Sequence, residues 1–480
     1  MIIGREKEKK ILEKAYKDEY SRFIAIYGRR RIGKTFLVRE TFEDKIVFQH
    51  TGIYEGTLKQ QLLAFDSSLD DYGCKINKKS QCWIDAFNKL KSIIKESSLK
   101  RKVIFIDELS WMDTPKSDLL KALENFWNTF ASARKDVLLV ICSSATSWII
   151  KKVIHNKGGL YNRLTDNIHL EFFTLGECEE YLKAKNIVMT RKQILDFYMV
   201  FGGVPFYWSF IEKGYSTDQN IDKILFSKDS ILKDEFDYLY SSIFKNPDIY
   251  IKIIEALGTK KVGMNRNEII EATNIINSGD LTNKLEELES CGFIRGYSAF
   301  GKEKKGKIYQ LIDNFTLFYF KFLKNKTNDE HFWSNQINTP LINTWRGLAF
   351  ERVCLMHIGQ IKNKLGILGV LTDTNSWYCQ KNLEEGVHGS QIDLLIVRKD
   401  QVINLCEMKY SNSDYAITEN FDISMRNKIS DLQVVTKTKY AIYPTLITIY
   451  GLESNMYYST IQSVVVLDDL FKIIWIYIFK

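Results

Sequence analysis

Eight residues, Gly28-Arg29-Arg30-Arg31-Ile32-Gly33-Lys34-Thr35, follow the apolar run Arg22–Tyr27 and lead into Phe36-Leu37-Val38-Arg39-Glu40. A strand, a glycine-bounded loop and a helix in that order make an anion cradle. The glycines let backbone N–H groups curl around a phosphate, and the helix directs its positive dipole end at the same point. Lys34 then supplies a cation for β- and γ-phosphates, and Thr35 a hydroxyl ligand for Mg²⁺. This is the G-x-x-x-x-G-K-T pattern of a P-loop in its proper context. A second apolar run, Arg101 to Ile106, ends in Asp107-Glu108. There Asp107 would hold the Mg²⁺ shell, and Glu108 would orient and polarise an attacking water. ATP and Mg²⁺ are the expected ligands, and hydrolysis the expected reaction.

A second group of reactive residues lies far downstream. Ser390–Val397 and Val402–Lys409 read as hairpin strands around the turn-forming Arg398-Lys399-Asp400-Gln401. Strand alternation places Glu407 and Lys409 on one face, with Asp393 on the partner strand beside them. Asp393 and Glu407 would ligate Mg²⁺ for phosphodiester cleavage, and Lys409 would stabilise charge or position the nucleophile. Solvated hairpins also carry an Asp and an E-x-K on neighbouring strands, so the pattern alone leaves both readings open.

These residues need elements to position them. Val137–Cys142 supplies a third buried strand, ending in Ser143-Ser144-Ala145-Thr146-Ser147-Trp148, where either serine reads equally as a helix N-cap. Between Asn246 and Phe322 the spacing predicts helices over Tyr250–Leu257 and Arg266–Thr273, then a third with the stripe Leu281, Leu285 and Leu288, ended by Gly292. Strands Phe293–Tyr297 and Lys307–Ile312 follow, around a loop with Lys302, Lys304, Lys305 and Lys307. That is a winged helix with a basic wing. Its third helix sets Lys284 against Asp280, Glu286, Glu287 and Glu289, whereas a DNA-reading helix presents basic and amide side chains. A protein-contact role and non-specific DNA contact through the wing both stay open. The polar stretch 325–340 marks a boundary before an amphipathic helix over Leu341–Gly359, which carries Glu351.

Composition bounds the function. With 480 residues, 45% of them hydrophobic, and only 5 prolines, the chain has core material for more than one domain and excludes a disordered class. No apolar run reaches the roughly 20 residues of a membrane span, and charged Arg5–Lys10 directly after Met1–Gly4 is unlike a signal peptide. The apolar Ile473–Phe479 reads as a last buried element, so a cytoplasmic protein is expected. The 8 cysteines form no CxxC pair and the 6 histidines no HExxH cluster, which argues against zinc ribbons and secretion. The net charge of +8 suits a polyanionic partner, and because Lys and Arg balance Asp and Glu from Leu341 onward, a face for phosphates belongs before it.

The P-loop, Asp107-Glu108, the strand ending in Ser143-Ser144 and the opening Ile3-Gly4-Arg5-Glu6-Lys7-Glu8 together resemble the archaeal-type ATPases of the AAA+/STAND group. The resemblance implies that the opening lies against the base of the nucleotide. It also implies that Ser144, with Ser143 as the alternative, senses the γ-phosphate. In Gly158-Gly159-Leu160-Tyr161-Asn162-Arg163 it implies an arginine finger at Arg163, acting within the chain or on a neighbour; from the residues alone, a surface salt bridge is as good a reading. Gly202-Gly203-Val204-Pro205-Phe206-Tyr207 is similar to the GGxP turn of that family's helical lid, or is a plain tight turn.

The downstream acids resemble the PD-(D/E)xK nuclease core often fused to such ATPases, with Glu351 as the helix-borne acid and no proline before Asp393. The implied fold class is α/β: a P-loop NTPase core over 1–170 with a helical lid over 171–245, a winged-helix domain over 246–325 and a C-terminal α/β restriction-endonuclease-like domain over 341–480. The implied partners are ATP, DNA through the winged helix and nuclease-like domain, and further copies of the chain, with no membrane. Two functions compete: an ATP-driven switch or motor regulating DNA cleavage, and an ATP-dependent signalling or scaffold protein whose nuclease-like domain is catalytically inactive.

Overall fold

The computed structural model of the chain describes residues 2–156, 158–244, 246–298, 300, 306–325 and 327–474. Packing divides it into two compact units: Met1–Phe172 with Ser241–Lys245 and Glu286–Cys291, and Phe173–Tyr240 with Asn246–Leu285 and Gly292–Lys480.

The first unit is built on five strands, β1 (Arg22–Tyr27), β2 (Ile46–Thr51), β3 (Lys102–Asp107), β4 (Val137–Ser143) and β5 (Asp166–His169). They lie in the order β2-β3-β4-β1-β5, every pairing parallel. A parallel sheet must be covered on both faces, which is why β3 and β4 are buried at every residue. On one face Ile104, Ile106, Leu139 and Ile141 share a core with Trp83, Phe87 and Leu90 of the helix Trp83–Glu96. On the other, Ile24, Ile26, Phe105 and Val140 pack with Leu12 of Glu6–Lys17 and with Leu37 and Val38 of Lys34–Phe42. Parallel strands deliver their C-terminal ends to one edge. Gly28, Asp107-Glu108 and Ser143-Ser144 therefore emerge side by side, with β4 between the other two strands.

In the second unit, reciprocal side-chain caps start three helices: Thr174 with Glu177 for Leu175–Ala184, Thr190 with Gln193 for Arg191–Phe201, and Ser216 with Gln219 for Thr217–Leu225. Each pair satisfies two backbone N–H groups that a helix start otherwise leaves unbonded. Gly203 follows the second helix because the chain passes so close to Phe173 that a Cβ would sit 1.8 Å from its carbonyl oxygen. Phe173 N–H donates to Gly203 O at 2.7 Å across the same approach. The double glycine thus serves tertiary packing as well as the turn.

Helix Pro247–Gly258 leads to the short strand β6 (Met264–Asn265), helices Arg266–Thr273 and Gly279–Ser290 follow it, and β7 (Ile294–Tyr297) and β8 (Ile308–Leu311) complete a small antiparallel sheet ordered β6-β8-β7. Leu281, Leu285 and Leu288 are fully buried. Lys284 is buried too, and its ammonium donates to Asp280 at 2.6 Å, so the third helix offers no free cation at that position. Lys302, Lys304 and Lys305 lie outside the described residues; Lys307 is exposed.

The remaining strands, β9 (Thr372–Tyr378), β10 (Gln391–Arg398), β11 (Val402–Lys409), β12 (Ala441–Thr448) and β13 (Ser463–Val466), form a mixed sheet ordered β13-β12-β11-β10-β9. β9, β10 and β11 pair antiparallel, whereas β11, β12 and β13 pair parallel. The expected helix over Leu341–Gly359 runs from Pro340 to Met356, with Ile358–Lys364 following separately. The polar stretch before it is packed: Trp333 is 1% exposed, meets the Trp345 ring edge-on at 5.5 Å and donates its backbone N–H to Asp222. Among the described residues no helix is long and apolar enough to cross a membrane.

Candidate nucleotide site and acidic cleft

Gly28 opens the loop after β1 with φ +144°, and a Cβ there would lie 2.3 Å from Leu170 O and 2.6 Å from Ile32 Cδ1. No other residue fits that conformation and that space. Lys34 is buried, and its Nζ donates to the carbonyls of Gly28 and Arg29, both at 3.0 Å, so the ammonium sits inside the loop. Arg5, also buried, reaches from the opening segment to Glu171 O at 2.6 Å and Ile32 O at 3.4 Å. The guanidinium of Arg29 lies over Phe172 and that of Arg30 over Trp111, while Arg31 has φ 71°.

Thr35 Oγ1 donates to Asp107 Oδ2 at 2.5 Å, and burial raises the Asp107 carboxyl above its ordinary value. A hydroxyl and a carboxylate, both hard oxygen donors, side by side next to a phosphate loop suit Mg²⁺. Glu108 takes left-handed φ 47°, an uncommon conformation for a residue with a side chain, which turns its carboxylate onto Ser144. Its Oε2 accepts from Ser144 N–H at 2.9 Å and from Ser144 Oγ at 2.7 Å. Ser143 Oγ instead donates to Ser110 Oγ at 2.8 Å. Neither serine caps the helix Thr146–Ile149, whose N-cap is Ala145. Arg163 is exposed on a turn, its backbone N–H bonded to Leu160 O at 3.1 Å.

In the second unit, Glu351 on the helix Pro340–Met356, Asp393 on β10 and Glu407 and Lys409 on β11 line one cleft of about 530 Å³. The pairing of Leu394 with Cys406 brings Asp393 and Glu407 to the next opposed position. The β9–β10 register shifts between Ile392 and Leu395, a bulge that holds Asp393. Glu407 accepts from Lys409 Nζ at 2.9 Å and from Lys428 Nζ at 2.6 Å. Lys261 Nζ lies 2.7 Å from Glu351 Oε2 and 3.1 Å from Asp393 Oδ2, while Gln391 donates to the other Asp393 oxygen at 2.6 Å. Burial, with Asp393 nearby, raises the Glu351 carboxyl; Asp393, although burial opposes it, is lowered by Lys261 and Gln391. Among the described residues no group of three or more His, Cys, Asp or Glu side chains lies close enough to hold a metal ion. The oxygen donors suit Mg²⁺ by type, but the charge of all three acids is already matched by three ammonium groups.

Residues 2–207 match the family model described as an ATPase domain predominantly from Archaea. The N-terminal segment is an archaeal-type ATPase domain. The chain is 26% identical over 360 residues to an uncharacterized protein of Methanocaldococcus jannaschii, covering 74% of this chain and 76% of that one. An uncharacterized ATP-binding protein of the same archaeon is 38% identical over 45 residues, which are 9% of this chain and 76% of the relative. Among solved structures, a Walker-type ATPase of Pyrococcus abyssi aligns with 66% of this chain and 95% of its own at 13% identity and a TM-score of 0.47.

Within the ATPase domain the structure brings Lys34, Thr35, Asp107, Glu108 and Ser144 to one sheet edge. In the cleft it brings Glu351, Asp393, Glu407 and Lys409 together, and adds two cations that the sequence reading missed. Lys428 lies 21 residues beyond Glu407 in the helix Glu419–Thr436, and Lys261 lies 132 residues before Asp393. No local pattern marks either one.

Proposed function

We propose that the chain binds ATP with Mg²⁺ in the loop Gly28–Thr35 and hydrolyses it, using Glu108 as the base. The observation that carries this reading is the joint placement of Thr35 against Asp107 and of Glu108 against Ser144. Lys34 binds the β- and γ-phosphates, and the backbone of Gly28, Arg29, Arg30, Arg31, Ile32 and Gly33 wraps them. Thr35 and Asp107 would hold Mg²⁺, which when bound neutralises charge on the phosphate oxygens. Ser144 fixes Glu108 through Oε2, leaving Oε1 to take the proton of the attacking water. Ser144 thereby links the base to the γ-phosphate position, and Arg163 is assigned to that phosphate within the chain or on a neighbouring copy. Lys34→Ala is expected to weaken nucleotide affinity about a hundredfold, since charge-assisted bonds to two phosphates are lost. Calorimetric affinity unchanged in that variant would end the P-loop reading.

The helices after Phe173 we assign to a lid, the three helices with β6–β8 to a winged helix and the mixed sheet to a nuclease-like domain that acts on DNA. Support comes from the convergence of Glu351, Asp393, Glu407 and Lys409 in one cleft. A second reading, a non-cleaving ATP-dependent switch, is favoured by one observation: each of those acids is held by a lysine. Plasmid nicking separates the two. Under the first reading, Mg²⁺-dependent nicks accumulate with the wild type and vanish in Asp393→Ala and Glu407→Ala; no nicking by the wild type favours the switch, and nicking that survives both changes ends the assignment of cleavage to this cleft.

A further inference from the structure

Lys261 enters the cleft from a segment remote in sequence, and its backbone is fixed in place. The turn after the helix Pro247–Gly258 is pinned to the small sheet: Gln310 Nε2 donates to Lys261 O and Tyr297 Oη to Val262 O, both at 2.6 Å. Gly263 closes the turn through its N–H to Lys260 O at 2.9 Å, and passes so near Tyr309 that a Cβ would meet its carbonyl oxygen at 2.2 Å. β7 is tied in turn to the mixed sheet, since Arg295 donates to Ser376 Oγ at 3.2 Å and that hydroxyl donates to Asp393 O at 2.7 Å. The turn is thus registered against the residue its lysine contacts. Lys261 also lines a neighbouring cavity of about 530 Å³ with Gly258, Phe320 and Arg352. Lys261 thus borders open space in addition to the acids it pairs with.

Formal charges decide the consequence. Glu351, Asp393 and Glu407 against Lys261, Lys409 and Lys428 sum to zero, and Arg352 adds positive charge felt by Glu351 and Asp393, so a divalent ion meets little net attraction until one cation withdraws. Lys261 is the one that bridges two acids. We propose that Lys261 is a built-in counter-cation that holds the gap between Glu351 and Asp393, so that a divalent ion enters the cleft only when its ammonium leaves. The inference rests on the nuclease-like reading of the cleft.

The test is calorimetric titration of Mn²⁺ alone into the full, EDTA-treated chain without nucleotide. Each protein is compared with its own Asp393→Ala counterpart, which subtracts binding near Thr35 and Asp107. Lys261→Met, which keeps the aliphatic stem and removes the charge, is expected to bind Mn²⁺ at the Asp393-dependent site at least about tenfold more tightly than the wild type. Lys261→Arg, which keeps the charge, is expected to stay at the wild-type value. Equal or weaker binding in Lys261→Met overturns the proposal and leaves the metal reading standing. Tightening in the arginine variant to the same extent traces the effect to packing rather than charge, and also overturns it. No Asp393-dependent binding even in Lys261→Met overturns both this inference and the nuclease-like reading.

Discussion

Replacing Glu108 with glutamine is expected to lower ATP turnover by about 10²- to 10⁴-fold, the usual contribution of a positioned general base, while nucleotide affinity stays within a few-fold of the wild type. The amide keeps the size of the carboxylate, and its oxygen can still accept from Ser144 N–H and Oγ, so the left-handed backbone at Glu108 keeps its support. What is lost is the basic oxygen. Ser144→Ala is expected to cost less, because the backbone N–H of Ser144 still holds Glu108 after the hydroxyl bond is gone. Phosphate release under saturating ATP, paired with calorimetry, reads both quantities. Glu108→Gln turning over at the wild-type rate would move the base to another residue, and an equal loss of affinity would mean that the substitution had disturbed the loop instead.

Acid is expected to destabilise both units well above the range where carboxylates titrate. His50 in the first unit and His357 in the second are each pushed down to about 4 by burial. His357 Nε2 accepts the backbone N–H of Leu175 at 3.0 Å, so it carries no proton; Nδ1 then holds the ring proton and donates to Val353 O at 2.8 Å. His50 Nδ1 meets Ser68 Oγ at 2.9 Å, and its Nε2 is buried with no hydrogen-bond partner among the described residues. In the unfolded chain both rings take up protons near pH 6.5, whereas in the folded chain neither does until about pH 4. Between those values the unfolded state binds more protons. Stability is therefore full above pH 6.5 and is lost as the pH falls toward 4, by about 1.4 kcal/mol per pH unit for each histidine. Urea unfolding at pH 7 and pH 5 should show a loss of about 2 kcal/mol per histidine, and His357→Gln should flatten the dependence of the second unit. Midpoints that coincide at the two pH values would show that these rings are protonated in the fold.

Much of the chemistry was legible from local spacing. Strand, loop and helix over Arg22–Phe42 are contiguous, so the sequence that forms the cradle also orders it, and the leucine stripe at 281, 285 and 288 turned inward as its period implied. Glu407 and Lys409 share a face because alternation is a property of one strand. Asp107 and Thr35 are 72 residues apart, yet each sits at the end of an element recognisable by itself, and parallel pairing does the rest.

Elsewhere only the tertiary structure decided. Gly202-Gly203 reads as a turn, but Gly203 is required by the approach of Phe173, a contact with no local signature. Which of Ser143 and Ser144 meets the Glu108 carboxylate was set by the left-handed backbone of Glu108, from which the side chain reaches Ser144. Lys284 looked like the one base on a helix of acids until it was found buried against Asp280. Lys261 and Lys428 are ordinary lysines in sequence, because what makes them significant is the field of acids brought to them by elements up to 132 residues away. Residue types and periodicity thus determined the P-loop, its carboxylates and the pairing within β11, since those depend on neighbours along the chain. The charge balance of the cleft was set by packing, because an ion pair depends on distance in space, which a linear spacing does not encode.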